Sequence, residues 1–252
     1  MIYFCHIPRT SGSAITSSIA KSFGQILTSG CYETGMKIHD DEKKLRLYLS
    51  EHKEYDYISD HFAALPYRYI ENIDTFSIVR DPIERIKSCF NYFGLWDGSI
   101  DFLEFIKYYG FHPIKDSMGF NGRPNMQCAN LINTILWEGN EAYIKNRNFN
   151  FFDILKIIKK QKMTLSTYEN RNYMIKDLNF ILNSIKDTNI TLDTESKVRP
   201  KRHFHDESVY FIPNEIIEEI KILNSLDYQL YNYVKDHEIK TGRCLTPDDI
   251  LF

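Results

Sequence analysis

Most features that would assign this chain quickly are missing. Its five cysteines, Cys5, Cys31, Cys89, Cys128 and Cys244, are odd in number and form no C-x-x-C pair. That argues against a disulfide framework or a zinc site and fits reduced thiols in a cytoplasmic protein. No apolar run approaches the roughly 20 residues of a membrane span. The chain opens on a strand-like run, not on a charged segment followed by a long apolar one, so no signal peptide and no membrane association are expected. Positive charge is not in excess: the formal net charge is −3. Nucleic acid is therefore not implied as a partner, and any anion must be held by local arginines and backbone amides. The Walker pattern G-x-x-x-x-G-K-[ST] is absent. No internal repeat or low-complexity linker divides the chain, and residues 1–252 read as a single domain.

What is present is a hydrophobic content of 43%, enough for a sizeable core, and an alternation of strand and helix in the first half. Residues 2–7 read as a buried parallel strand and Ser11 to Phe23 as a helix, with Ile15, Ile19, Ala20 and Phe23 on one face. Residues 28–42 read as loop and Lys43 to Glu51 as a short helix. Tyr55 to Ser59 is a second strand. Thr75 to Val79 is a third, followed by Asp81-Pro82 as helix cap and first helical residue. This order predicts an α/β fold with a central parallel sheet flanked by helices. The second half is helix-rich: Asp101–Tyr109, Asn125–Trp137, Phe151–Lys160 and Asn170–Ile185 read as helices, and Met163–Thr167 as a short strand. Residues 187–206 form a polar, basic loop, a long amphipathic helix runs from about Asn214 to Val234, and the tail from Thr241 reads as a surface strap.

Two segments are built to hold anions. In His6-Ile7-Pro8-Arg9-Thr10-Ser11-Gly12-Ser13-Ala14, a strand passes through a small polar loop into a helix. Gly12 permits close backbone approach, Thr10, Ser11 and Ser13 bring hydroxyls, and Arg9 brings a fixed charge; the free amides and dipole of a helix N-terminus favour an anion. An ordinary strand-to-helix turn has the same pattern. In Ile78-Val79-Arg80-Asp81-Pro82-Ile83-Glu84-Arg85-Ile86-Lys87-Ser88, Arg80 ends a strand. Ser88 sits about two turns into the next helix, from where its side chain can lean back toward the strand end. The alternative is that Arg80 pairs with an acid and Ser88 lies on the surface. Two such sites suggest a nucleotide phosphorylated at both ends. His61 follows the second strand, in Tyr57-Ile58-Ser59-Asp60-His61-Phe62, at the carboxyl ends of the strands, where ligands of open α/β sheets bind. That makes it the candidate base. His203 and His205 lack ligand partners at metal spacing and read as loop or substrate contacts.

The first loop resembles the 5′-phosphosulfate-binding loop of PAPS-dependent sulfotransferases, in the branch of the heparan sulfate 2-O-sulfotransferases. That branch typically reads His-Ile-Pro-Lys-Thr-Gly/Ala-Gly/Ser-Thr/Ser; here it is His6-Ile7-Pro8-Arg9-Thr10-Ser11-Gly12-Ser13. The second segment resembles that family's 3′-phosphate motif, Val-Arg-Asp-Pro followed by arginine and serine, with Arg80 and Ser88 at the ligand positions. Weaker likeness continues through Asn125-Met126-Gln127, Leu165-Ser166-Thr167-Tyr168-Glu169 and the helix around Asn224-Ser225-Leu226-Asp227, covering roughly residues 2–235. The resemblance places the first of these near the acceptor; the other two read rather as core packing.

The resemblance implies a P-loop-kinase-like sulfotransferase fold and an enzyme moving a sulfuryl group from PAPS to a hydroxyl or amine of a carbohydrate or small molecule. PAP leaves as product, and no metal is needed. By the same resemblance, Arg9, Thr10, Ser11, Gly12, Ser13, Ala14, Arg80 and Ser88 bind the nucleotide. Lys197, Arg199 and Lys201 read either as a solvated charge run or, by the resemblance, as cofactor or substrate contacts on a basic loop that closes over the nucleotide. His61 is the base and Arg9 stabilises the leaving group. Two departures stand out. Arg9 replaces the usual lysine and does not give up a proton, and Asp60 replaces the usual glycine before His61. Two rival readings remain: a nucleotide kinase of similar topology, against which the missing Walker lysine counts, and a PAP- or glycan-binding module without catalysis. Tyr92, Phe93, Trp96 and Phe120 are aromatic candidates for an acceptor pocket, or for the core.

Overall fold

A computed structural model describes residues 2–7, 9–23, 27–28, 57–60, 73–93, 103–105, 125–132, 150–189, 191–192 and 211–252. His61, Trp96, Phe120, Lys197, Arg199, Lys201, His203, His205 and the expected helix at Lys43–Glu51 lie outside these residues, as do the side chains of Tyr92 and Phe93.

Five strands form one sheet, and every pair in it is parallel: β1 (Ile2–Cys5), β2 (Leu27–Thr28), β3 (Tyr57–Asp60), β4 (Asp74–Val79) and β5 (Met163–Thr167), in the order β2-β3-β1-β4-β5. β1 lies in the centre, with Cys5 opposite Asp60 of β3 on one side and opposite Ser77 of β4 on the other. The apolar run of β1 follows from burial on both faces, the usual state of a parallel strand, and β4 is likewise buried from Thr75 to Val79 although Thr75 and Ser77 are polar. The period of two then sorts side chains between two cores. Ile2, Phe4, Phe76 and Ile78 pack with Ile15 and Ile19 of α1 (Gly12–Phe23). Tyr3, Cys5, Val79 and Leu165 join the opposite core.

Helix α2 (Pro82–Phe93) follows β4, and its cap is the one expected: Asp81 Oδ1 accepts from the amides of Ile83 at 2.9 Å and Glu84 at 3.1 Å. Helices α3 (Met126–Ile132) and α4 (Phe151–Lys160) come next, then β5 and α5 (Arg171–Lys186). Met174, Leu178 and Leu182 of α5 cover the face shared with α1, while Ile154, Leu155 and Ile158 of α4 cover the other. Helices therefore flank both faces of the sheet.

Two expectations for the C-terminal region are corrected. The long helix from Asn214 is two, α6 (Asn214–Leu223) and α7 (Ser225–Thr241), joined at Asn224. The Asn224 amide N–H and side-chain Nδ2 both donate to Ile220 O, each at 2.9 Å. Such side-chain competition for backbone groups ends helices at asparagine. The tail is not a surface strap. Leu245 forms an antiparallel bridge to Leu165 of β5, with both N–H···O bonds at 2.9 Å. Cys244, Leu245 and Ile250 are buried, and a 3-10 turn at Pro247–Asp249 is closed by Arg243, whose two terminal nitrogens grip Asp249 at 2.8 and 2.6 Å. That guanidinium, with Thr246, holds the Asp249 carboxyl well below the usual carboxylate range. Among the described residues no helix is long and apolar enough to cross a membrane.

Cys5, Cys89, Cys128 and Cys244 lie buried in the interior, and no disulfide links them among the described residues. Burial pushes the thiols of Cys89, Cys128 and Cys244 above their ordinary values. The native protein should therefore alkylate slowly at these positions. Denaturation without reductant should expose five alkylatable cysteines by mass spectrometry, Cys31 included; fewer would contradict the reduced assignment.

Candidate functional site

The strand order makes one location special. From β1 the chain continues to β2 and β3 on one side of the sheet, and from β4 it continues to β5 on the other. The loops leaving the carboxyl ends of β1 and β4 thus diverge, and such a reversal point is where open α/β sheets bind ligands. Arg9 and Arg80 stand in those two loops.

The β1 loop leaves the sheet abruptly. The Ile7 amide bonds to Cys5 O at 3.1 Å, so β1 stops before His6. His6 is accordingly not inside the strand, as the sequence suggested, but half-buried beyond it. Its imidazole lies so close to Gly12 that a Cβ there would overlap the ring. Glycine at this position is thus a packing requirement. Arg9 and Ser11 hold positive φ values of 71° and 78°. Each such residue without glycine's freedom costs about 1 kcal/mol or more and persists only where its surroundings enforce it. Thr10 supplies part of that enforcement: it is fully buried and its Oγ1 donates to Ile7 O at 2.8 Å. The expected ligand-facing hydroxyl of Thr10 is thus turned inward. Ser13 is exposed and Ser11 half-buried, and Ser11 O accepts from Ala14 N at 3.0 Å and Ile15 N at 3.3 Å to start α1. The amides of Gly12 and Ser13 belong to the first turn, whose N–H groups have no partner within a helix.

The two expected anion segments meet. Arg9 Nε donates to both the carbonyl and the hydroxyl oxygen of Ser88, each at 3.1 Å. Arg80 Nη1 donates to the Arg9 carbonyl at 3.3 Å. Ser88 does lean back from α2 toward the strand ends, and the sites foreseen as separate are one continuous cluster. Among the described residues no carboxylate pairs with Arg80, and its Nε is buried without a hydrogen-bond partner. A structural ion pair is therefore not what holds this arginine.

Five residues that sequence reasoning did not assign to holding the anion support it. The Arg80 guanidinium lies over the Tyr168 ring, 4.3 Å from the centroid, and Arg171 lies over the same ring at 4.7 Å. Tyr168 is held in turn by its amide on Val79 O at 2.7 Å and by Arg171 Nη1 on its carbonyl at 2.9 Å. Gln127 clamps the Arg80 backbone: Oε1 accepts from Arg80 N at 2.8 Å, and Nε2 donates to Arg80 O at 2.7 Å. Asp227 accepts from the amides of Gln127 at 3.0 Å and Cys128 at 2.8 Å, capping α3. Asn125 Oδ1 returns the arrangement, accepting from the amides of Leu226 at 2.9 Å and Asp227 at 3.2 Å at the start of α7. Burial raises the Asp227 pKa, against the amides of Cys128 and Gln127 and the charge of Arg85. The Asn-x-Gln and Asn-x-x-Asp segments were the available signals for these residues. For Arg171 the sequence carried none.

No family model matches the chain, and no curated protein matches it. Among the described residues no group of three or more His, Cys, Asp or Glu stands together as a metal site.

Proposed function

We propose that this protein is a PAPS-dependent sulfotransferase whose nucleotide lies across the carboxyl ends of β1 and β4. The observation that carries this reading is the junction of Arg9, Arg80 and Ser88 at the point of strand-order reversal. Arg80, with its buried unpaired Nε, and the Ser88 hydroxyl would hold the 3′-phosphate. The Arg9–Ala14 loop and first turn of α1 would hold the 5′-phosphosulfate. In the reaction the acceptor oxygen or nitrogen attacks sulfur in line, and the bond from sulfur to the bridging phosphate oxygen breaks. PAP leaves with the electron pair, and His61 takes the acceptor proton. Positioning and neutralisation of charge on the departing phosphate do most of the work. The reaction itself requires no metal. The acceptor is a carbohydrate or small-molecule hydroxyl or amine, and the protein acts in the cytoplasm.

Calorimetry with PAP in metal-free buffer tests the nucleotide site. Arg80→Ala should weaken PAP binding by about 2 kcal/mol, near 30-fold, since a charged hydrogen-bond partner is lost. Unchanged affinity would reject the site. Transfer of labelled sulfate to a panel of glycans, phenols, alcohols and amines tests the reaction. One observation favours a second reading, a PAP-binding module without turnover: Arg9 differs from the usual lysine and is engaged with Ser88. PAP binding with no transfer to any acceptor class would select it. Stabilisation by ATP with magnesium, and not by PAP, would instead select the kinase-like alternative.

A further inference from the structure

We infer that Gln127 is a positioning residue that sets 3′-phosphate recognition through Arg80 without touching the ligand. The inference rests on the reading of Arg80 given above. Arg80 is the first residue past β4, where the backbone has left the sheet ladder and its polar groups need new partners. One fully buried side chain supplies both: Gln127 takes the Arg80 N–H on Oε1 and gives its Nε2 hydrogen to the Arg80 carbonyl. The orientation of the amide is dictated by these partners, because a reversed group would set donor against donor and acceptor against acceptor. Two bonds to one residue fix the peptide planes on both sides of its Cα, and hence the direction in which the Arg80 side chain departs.

Gln127 is itself held. Its amide bonds to Asp227 Oδ2 at 3.0 Å, and the Asp227 amide bonds to Asn125 Oδ1 at 3.2 Å. A chain of polar contacts therefore runs from the start of α7, through the start of α3, to the end of β4. At its far end the guanidinium meets the Tyr168 ring and the Arg9 carbonyl. Gln127 has no direct role in this scheme beyond the Arg80 backbone, so its effect must appear in the ligand group that Arg80 reads.

The test compares PAP with adenosine 5′-monophosphate, which lacks the 3′-phosphate. The ratio of their dissociation constants measures the contribution of that phosphate. Gln127→Met keeps the volume and removes both bonds; it should reduce the ratio about tenfold while leaving affinity for the monophosphate within about twofold. Adding Gln127→Met to Arg80→Ala should change the ratio no further, because the two act on one contact. Gln127→Glu is the second variant, in case the methionine protein folds poorly. Its carboxylate opposes the Arg80 carbonyl, whereas the protonated acid reproduces both the donor and the acceptor of the amide. Its ratio should thus approach that of the wild type, measured at the same pH, as pH is lowered. Equal weakening of both nucleotides, or an unchanged ratio in the variants, overturns the inference. A ratio lost in Arg80→Ala but kept in Gln127→Met overturns it alone. A wild-type protein with no preference for PAP overturns both this inference and the proposed nucleotide site.

Discussion

Replacing Glu238 by leucine should destabilise the protein by about 4 kcal/mol, because a fully buried carboxylate that joins two elements would be lost. Glu238 lies on α7 and is 1% exposed. It accepts from Ser166 Oγ at 2.5 Å, Thr167 N at 2.9 Å, Thr167 Oγ1 at 2.5 Å and Asn170 Nδ2 at 3.0 Å. These donors occupy the end of β5 and the turn into α5. The Ser166 hydroxyl has other acceptors near it, the carbonyls of Thr167 at 3.4 Å and Asn170 at 3.2 Å. The buried Thr167 amide also donates to Glu238, at 2.9 Å, and leucine would remove that acceptor. Glu238→Gln keeps acceptance through one oxygen and should cost about half as much. Urea denaturation followed by circular dichroism measures both. Since Tyr168 follows directly and carries the Arg80 guanidinium over its ring, the leucine variant should also weaken PAP binding. A midpoint equal to that of the wild type would mean that the network contributes nothing to holding β5 against α7.

The parts of this fold that were legible in the sequence are those specified within a few residues. Asp81-Pro82 announces a cap and a first turn, and both are formed. The apolar run of residues 2–7 announces a buried strand, though only the structure reveals that it ends at Cys5, because the turn at Ile7 depends on geometry and not on residue type. The edge strand at Leu27–Thr28 fell in a stretch read mostly as loop, since a strand of two residues has no period to detect. The same limit applies to the site. Arg80 and Ser88 are eight positions apart and share a motif. The Gln127–Asp227 bond spans 100 residues, and the Glu238–Thr167 bonds span 71. A buried acid is normally read as a surface residue; only its distant donors explain why it is tolerated. The inward turn of Thr10 shows the reverse error, a hydroxyl assigned to ligand that the loop spends on its own carbonyl. Local pattern locates elements and loops, while long-range polar pairing decides which side chains in them are available for chemistry.

His61→Ala should leave nucleotide affinity intact and lower kcat by about 10²-fold or more, because only removal of the acceptor proton is lost. His61 is outside the described residues, but β3 ends at Asp60 in register with Cys5, immediately before the loop that carries Arg9. An imidazole accepts a proton only when neutral, so wild-type kcat should fall as pH drops through its titration. That low-pH limb should vanish in the alanine variant. Arg9 should fail differently. Arg9→Ala removes both the charge proposed to meet the 5′-phosphate and the bonds to Ser88, so PAP affinity and turnover should fall together. Arg9→Lys separates these contributions. Lysine retains the charge but has no nitrogen at the position from which Arg9 Nε reaches both oxygens of Ser88. Equal or better turnover with lysine would make the charge sufficient. Loss of turnover with PAP binding retained would show that the guanidinium fork is what this site uses. Near-normal kcat in His61→Ala with an identified acceptor would remove His61 as the base and direct attention to His203 and His205.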